Sequence, residues 1–287
     1  MGVFMNISTN AVSKFSPRLF ALCLALSGSL LTTVASNGQE VAAPRQQAPA
    51  SASASYLAAD AVDFTSLLPP PPAAGSPEEK RDLDALHAAQ DARNEAMTAR
   101  VQADANVNLF RFADVMGDKF TEQNLPRTVA FFRNVSRSIG SSTGSLKDCW
   151  ARPRPFLLDP TITPPAGLKE SARMRSSSEI PIVKNPRCLQ GTMKSDYSYS
   201  YPSGHSMYGA MTAMLLGDMV PERSGVILTR GWEYGYNRVL GGVHYPSDVE
   251  AGRVQAAVLV ALMKTNADFQ RDFAAARSEL RRVLGYQ

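Results

Sequence analysis

Three short clusters in this chain carry residue types that can work together on one chemical task. The first is Lys147-Asp148-Cys149-Trp150-Ala151-Arg152-Pro153-Arg154-Pro155. The second is Tyr201-Pro202-Ser203-Gly204-His205. The third is Arg238-Val239-Leu240-Gly241-Gly242-Val243-His244-Tyr245-Pro246-Ser247-Asp248. Together they offer Lys147, Arg154 and Arg238 as cations, two histidines, a carboxylate and a turn able to start a helix. A phosphoryl group needs fixed positive charge on its oxygens, a nucleophile, and an acid for the leaving oxygen. Arginine grips two oxygens with a planar fork, and lysine adds a point charge.

The histidines separate by their neighbours. The chain has only three: His87, His205 and His244. His87 falls mid-helix among charged residues and reads as solvent-exposed. His244 is followed four residues later by Asp248, in the first turn of a helix. That carboxylate can hold one ring nitrogen and leave the other as a lone pair, which favours His244 as nucleophile. His205 has no acid nearby in sequence and suits the role of general acid. Ser203 and Gly204 precede it at a helix start, where N–H groups and the helix dipole attract an anion. The bland alternatives are a capped helix start for Ser203 and a dipole-facing charge for Asp248.

The spacings Lys-x6-Arg-Pro, Pro-Ser-Gly-His and Arg-x5-His-x3-Asp, in this order, resemble the signature of the type 2 phosphatidic acid phosphatase superfamily. Leu67–Ser76, Lys147–Phe156 and Arg230–Arg253 further resemble bacterial secreted class A non-specific acid phosphatases, so the likeness covers most of the chain after about residue 60. The resemblance implies an all-α helical bundle with the site between helices. It implies phosphate binding by Lys147, Arg154, Ser203, Gly204 and Arg238. It also implies a phosphohistidine on His244, orientation by Asp248, proton donation by His205, and no metal or other cofactor. Relatives form homo-oligomers, although no interface is legible here. Asn237 departs from the family's usual Ser before the third-motif Arg, which puts a secondary phosphate contact in question. Cys149 stands where an aromatic often follows Lys-Asp.

The elements that must position these residues read as helices. Met207, Ala210, Met211, Met214 and Leu215 repeat at helical spacing after His205 and predict a helix to about Met219. Two more are expected, over about Ser224–Leu240 and from near Ser247, where Ser247 and Glu250 match a capping box. Ser76-Pro77-Glu78-Glu79 is a strong helix start, followed by a long helical stretch with Leu83, Leu86, Ala89 and Ala96 on it. Asn108–Met116 and Leu125–Ile139 carry further helical patterns. Gly140–Gly144 breaks the chain, and residues 156–200 are irregular. The expected domain is residues 61–287, without internal repeats.

Residues 1–35 read as a cleavable signal peptide: Lys14 and Arg18, an apolar run Leu19–Leu31, then small residues at Thr33-Val34-Ala35. The run is too short to span a bilayer. Residues 36–60 read as a flexible Ala/Ser/Pro-rich lead-in, and Leu67–Pro72 as a stiff polyproline spacer. An exported protein without stable membrane insertion follows, periplasmic or secreted. The net charge of +4 drops to ~+2 without the leader. This argues against a nucleic-acid partner and leaves small phosphate esters as the expected ones. Cys23 leaves with the leader. Cys149 and Cys188 remain, as a disulfide or as two buried thiols.

The expected activity is hydrolysis of phosphomonoesters at acidic pH. Competing readings are an apyrase acting on nucleoside di- and triphosphates, a vanadium-dependent haloperoxidase, a membrane lipid phosphatase and a non-enzymatic phosphate-binding protein. Spanning segments are missing for the lipid phosphatase. The His244–Asp248 pair has no purpose in a mere binder.

Overall fold

The computed structural model describes residues 55–58, 61–139, 142–172, 188 and 198–286. All of them fall in one unit, residues 50–287. The expected leader and most of the lead-in lie outside the described residues, as do most of 173–197.

The described residues form helices and no strands. In order these are α1 (Phe64–Leu67), α2 (Pro77–Ala92), α3 (Glu95–Ala103), a 3-10 turn Leu109–Phe112, α4 (Ala113–Met116), α5 (Pro126–Ile139), α6 (Ser142–Trp150), α7 (Pro155–Leu158), α8 (Leu168–Ser171), α9 (Gly204–Met219), a 3-10 turn Pro221–Arg223, α10 (Ser224–Leu240), α11 (Pro246–Met263) and α12 (Ala267–Leu284). The all-α expectation holds. No helix among the described residues is long and apolar enough to cross a membrane.

The centre of the fold is α9. It buries residues on every side, including Met207, Met211, Leu215, Leu216 and Met219, as an apolar-all-round helix must. Helices α10 and α11 pack on it closely because small residues face it. A Cβ on Gly231 would stand 2.3 Å from Ala213 Cβ, and one on Gly252 would stand 2.4 Å from the Ser203 carbonyl oxygen. Either contact is far inside van der Waals range, so these helix crossings require glycine. An aromatic layer joins α5 to α12: Phe131 meets Phe269 at 5.2 Å and Phe273 at 5.8 Å between ring centroids. Helix α12 is an addition to the helices expected from sequence.

Several local expectations change. The stretch after Ser76 is two helices. Ser76 accepts from the Glu79 N–H as expected, but Asn94 then caps a new helix by accepting from the Met97 N–H. Gly144 lies inside α6, because that helix already starts at Ser142. Helix α11 is capped two residues earlier than expected, at Tyr245. Asp248 accepts from the Tyr245 N–H at 2.9 Å, while Ser247 donates to Asp82 and Glu250 pairs with Arg253 at 2.9 Å. The lead-in gives way to ordered chain before residue 60: Tyr56 is buried, and its hydroxyl donates to Asp272 at 2.8 Å. The polyproline run is stapled to the fold, with Leu68 buried and the Tyr201 hydroxyl donating to the Pro69 carbonyl at 2.6 Å.

Candidate active site

Each cluster of the sequence is delivered by a helix end. Lys147 lies in the last turn of α6. That helix stops at Ala151, whose φ of 44° is left-handed, and its N–H bonds back to the Lys147 carbonyl at 2.8 Å. The reversal carries the chain through Arg152 and Arg154 into α7. Ser203 caps α9 by accepting from the Ser206 N–H at 3.3 Å. Arg238 sits in the last turn of α10 and Asp248 in the first turn of α11. Cys149, near the end of α6, forms a disulfide with Cys188.

His244 and Asp248 are almost wholly buried. His244 Nδ1 is 3.2 Å from Asp248 Oδ2, and Nε2 is 2.8 Å from Arg154 Nη1. Arginine can only donate. Nε2 therefore carries the lone pair and Nδ1 carries the proton, which it donates to Asp248. Burial and the nearby Arg154, Lys147 and Arg238 hold His244 well below the usual imidazole range, so the ring is neutral. Asp248 in turn accepts from Arg152 Nη1 at 2.7 Å, from the Ser200 hydroxyl and from the Tyr245 N–H.

His205 Nε2 lies 3.0 Å from the Ala105 carbonyl oxygen. A carbonyl only accepts, so Nε2 carries the proton and Nδ1 is left for other work. The ring stacks on Tyr234, with centroids 6.5 Å apart and 20° between planes. Burial, then Arg238, push this histidine well below its usual range, with smaller contributions from Arg154 and Lys147.

Among the described residues, no carboxylate forms an ion pair with Lys147, Arg154 or Arg238. Burial is the main cause of each shift: Lys147 is pushed well below the usual ammonium range, Arg154 down to about 9 and Arg238 down to about 10. Lys147 donates to the carbonyls of Tyr199 and Ser200, at 2.6 and 3.1 Å. Arg154 donates to the carbonyls of Ser198 and Val243, each at 2.7 Å. Arg238 is 1% exposed, and its Nε and Nη1 have no hydrogen-bond partner among the described residues. A buried cation with open donors is costly unless an anion meets it.

The turn before α9 divides its N–H groups. That of Ser203 is taken by the Asp248 carbonyl at 2.9 Å. The first intrahelical bond runs from Met207 to Ser203 at 3.0 Å, so the N–H groups of Gly204 and His205 remain for an anion.

Asn237 is engaged away from the cations: its Nδ2 donates to Asp104 Oδ2 at 2.8 Å. His87 is not simply solvated either; its Nε2 pairs with Asp159 at 2.9 Å. No cluster of three or more His, Cys, Asp or Glu side chains suited to a metal occurs among the described residues.

Sequence reasoning missed the support of Asp248. Arg152, beside the first motif, lies over the Tyr245 ring at 3.7 Å and spans Asp248 and Asp82 with its two terminal nitrogens. Asp82 on α2 also accepts from the Ser247 N–H at 3.1 Å. Ser200 was unmarked by any motif. The alternation Arg-Pro-Arg-Pro was the one available signal, since it puts two cations in a stretch that can fold neither as helix nor as paired strand.

Residues 132–271 match the PAP2 superfamily. The chain is 32% identical over 226 residues to a non-specific acid phosphatase of Salmonella typhimurium, covering 77% of this chain and 81% of the relative. It is 29% identical over 228 residues to a non-specific acid phosphatase of Providencia stuartii, covering 78% and 83%. It is 28% identical over 220 residues to an acid phosphatase of Zymomonas mobilis, covering 75% of each. With its three motifs gathered at one buried site, the chain belongs to the PAP2 superfamily and, within it, to the non-specific acid phosphatases.

Proposed function

We propose that this phosphatase is exported and hydrolyses phosphomonoesters through a phosphohistidine on His244. The observation that carries the reading is the lone pair on His244 Nε2, fixed by the Nδ1–Asp248 bond and turned toward Arg154. A dianionic phosphate draws Arg154 Nη1 from that lone pair onto its own oxygens. Arg238, Lys147 and the N–H groups of Gly204 and His205 take the others. Nε2 then attacks phosphorus. The bond to the ester oxygen breaks, and His205 Nδ1–H protonates the departing alkoxide. Water next gives its proton to His205 Nδ1 and attacks phosphorus; the N–P bond electrons return to Nε2 and inorganic phosphate leaves.

The acid must be protonated in the complex, although burial and cations depress it otherwise. Two negative charges on the bound phosphate offset those cations and raise His205 toward its working range. Three fixed cations supply the charge stabilisation that a metal gives elsewhere, so the reading includes no metal. Export is supported by the signal-like residues 1–35 and by a disulfide, which belongs to oxidising compartments.

The test is a substrate panel on the mature protein from about pH 4 to 8, with a chelator present and with rapid acid-free quenching to trap labelled enzyme. Activity on simple esters, label on His244 and indifference to the chelator are expected. A His244→Ala enzyme that retains turnover overturns the nucleophile. Faster turnover of nucleoside di- and triphosphates than of monophosphates would make the enzyme an apyrase with the same site.

A further inference from the structure

A second buried ionic cluster lies behind the site, and its centre, Asp104, has no part in the steps above. Asp104 ends α3 and its side chain is fully buried. Oδ1 accepts from Arg111 Nε at 2.9 Å and from Arg230 Nη2 at 2.7 Å; Oδ2 accepts from Asn237 Nδ2 at 2.8 Å. Arg230 is anchored again on Asp114 at 2.9 Å and on the Arg111 carbonyl at 3.1 Å. A carboxylate so tied fixes the turn that follows it.

That turn grips the acid. The carbonyl of Ala105 accepts from His205 Nε2–H at 3.0 Å. The carbonyl of Asn106 accepts from the Tyr234 hydroxyl at 2.7 Å, and Tyr234 stacks on the His205 ring. On its other side Asp104 holds Asn237, the residue before Arg238. One carboxylate thus stands one residue from each of two site elements that are more than thirty residues apart on the chain. Its charge also favours the cationic form of Arg238.

We infer that Asp104 is a positioning residue for phosphoryl transfer: through Ala105 it aims His205 Nδ1 at the leaving oxygen, and through Asn237 it fixes Arg238 on the phosphate. The first half rests on the reading of His205 as the general acid. It gives Asn237 a purpose, since the amide replaces a direct phosphate contact with a second-hand one.

Leaving-group dependence tests it. A para-nitrophenyl ester departs without a proton, whereas an alkyl phosphate needs one. In folded Asp104→Asn, kcat should fall about tenfold or more further on the alkyl ester than on the aryl ester, with KM raised on both. Asn237→Ala keeps Asp104 and both its arginines, and should raise KM several-fold while leaving the aryl-to-alkyl ratio unchanged. Equal losses of Asp104→Asn on both esters overturn the aiming of His205. An unchanged KM in Asn237→Ala overturns the fixing of Arg238. Should Asp104→Asn fail to fold, Ala105→Pro, which alters the same turn and leaves Asp104 in place, must show the same alkyl-selective loss or the aiming fails. His205→Ala separates the two layers. If it lacks leaving-group dependence, the acid reading itself falls. If it has the dependence and Asp104→Asn does not, only the inference falls.

Discussion

Ser203 and Asp248 are joined backbone to backbone: the Ser203 N–H donates to the Asp248 carbonyl at 2.9 Å. The turn that starts α9 and the carboxylate that orients His244 therefore hold one position relative to each other. The neighbouring bond from the Ser206 hydroxyl to the Val249 carbonyl, at 2.6 Å, repeats the tie one residue on. This contact exists only because Gly252 lets α11 close on the Ser203 carbonyl.

Gly252→Ala should for that reason damage activity more than its size suggests. The new Cβ meets a backbone oxygen at 2.4 Å, and backbone cannot swing aside. Helices α9 and α11 must part, at a cost of about 1–3 kcal/mol. His244 and the Gly204 amide then separate, so kcat should fall about a hundredfold, the scale set by ångström misplacement of reacting groups. Denaturant unfolding and kcat on one aryl ester check both numbers; a fall in stability with intact kcat would show that the tie does not align the site.

Asp82 and Arg152 should behave as one unit with Asp248. Asp82→Asn leaves Arg152 buried with half its charge compensation, which costs about 3–5 kcal/mol when a buried pair is broken. Asp82→Asn and Arg152→Met together remove both charges and should be less destabilising than the sum of the single changes. Asp248 retains Ser200, His244 and the Tyr245 N–H in the double variant, so turnover should be slowed without vanishing. A double-mutant cycle in stability, with no coupling found, would count against the unit.

The helices that hold the motifs were legible because they carry both a period and a cap. Ser224–Leu240 is recovered to the residue, since its apolar spacing and flanking Pro221 and Gly241 agree. The motif residues were legible because their chemistry tolerates few residue types. The supports were not. Asp82 lies on a helix start rich in charge, where a carboxylate reads as solvated; its contacts with Arg152 and Ser247, 70 and 165 residues away, bury it. Asp104 is hidden for the same reason. The partner of His205 is a backbone carbonyl, and Ala105 offers no side chain to mark it. Asn237 was noticed as a departure, but its direction along α10 depends on Arg230 and Asp104 packing beneath it.

Stability should fall with acidity in the free enzyme. His205 and His244 both sit well below the usual imidazole value of 6.5. In the unfolded chain they bind protons as pH drops through about 6.5, while in the fold they resist. The unfolded state then holds more protons, and stability is lost toward the depressed folded values, by up to about 1.4 kcal/mol per pH unit for each group. Above about pH 7.5 the two contribute no slope. Thermal melts between pH 8 and 5 should show the decline, and His205→Gln with His244→Gln should flatten it. Inorganic phosphate, by compensating the cations, should flatten it as well.

Arg238 should trade stability against binding. Its guanidinium is buried with two donors open, so Arg238→Met removes an uncompensated charge and keeps an unbranched apolar chain in the space. The free protein should lose little stability, or gain up to about 2 kcal/mol, where most buried substitutions cost 1 or more. The same change should erase most of the rise in melting temperature given by phosphate or vanadate, because ligand stabilisation follows RT ln(1 + [L]/Kd) and Kd rises steeply when a fork of donors is lost. KM should increase and kcat fall together, since the cation both binds the phosphate in the ground state and holds its oxygens more strongly in the transition state. Melting curves of both proteins, with and without phosphate, decide the matter. A strongly destabilised free Arg238→Met protein that still answers normally to phosphate would show that the open donors are not the anion site.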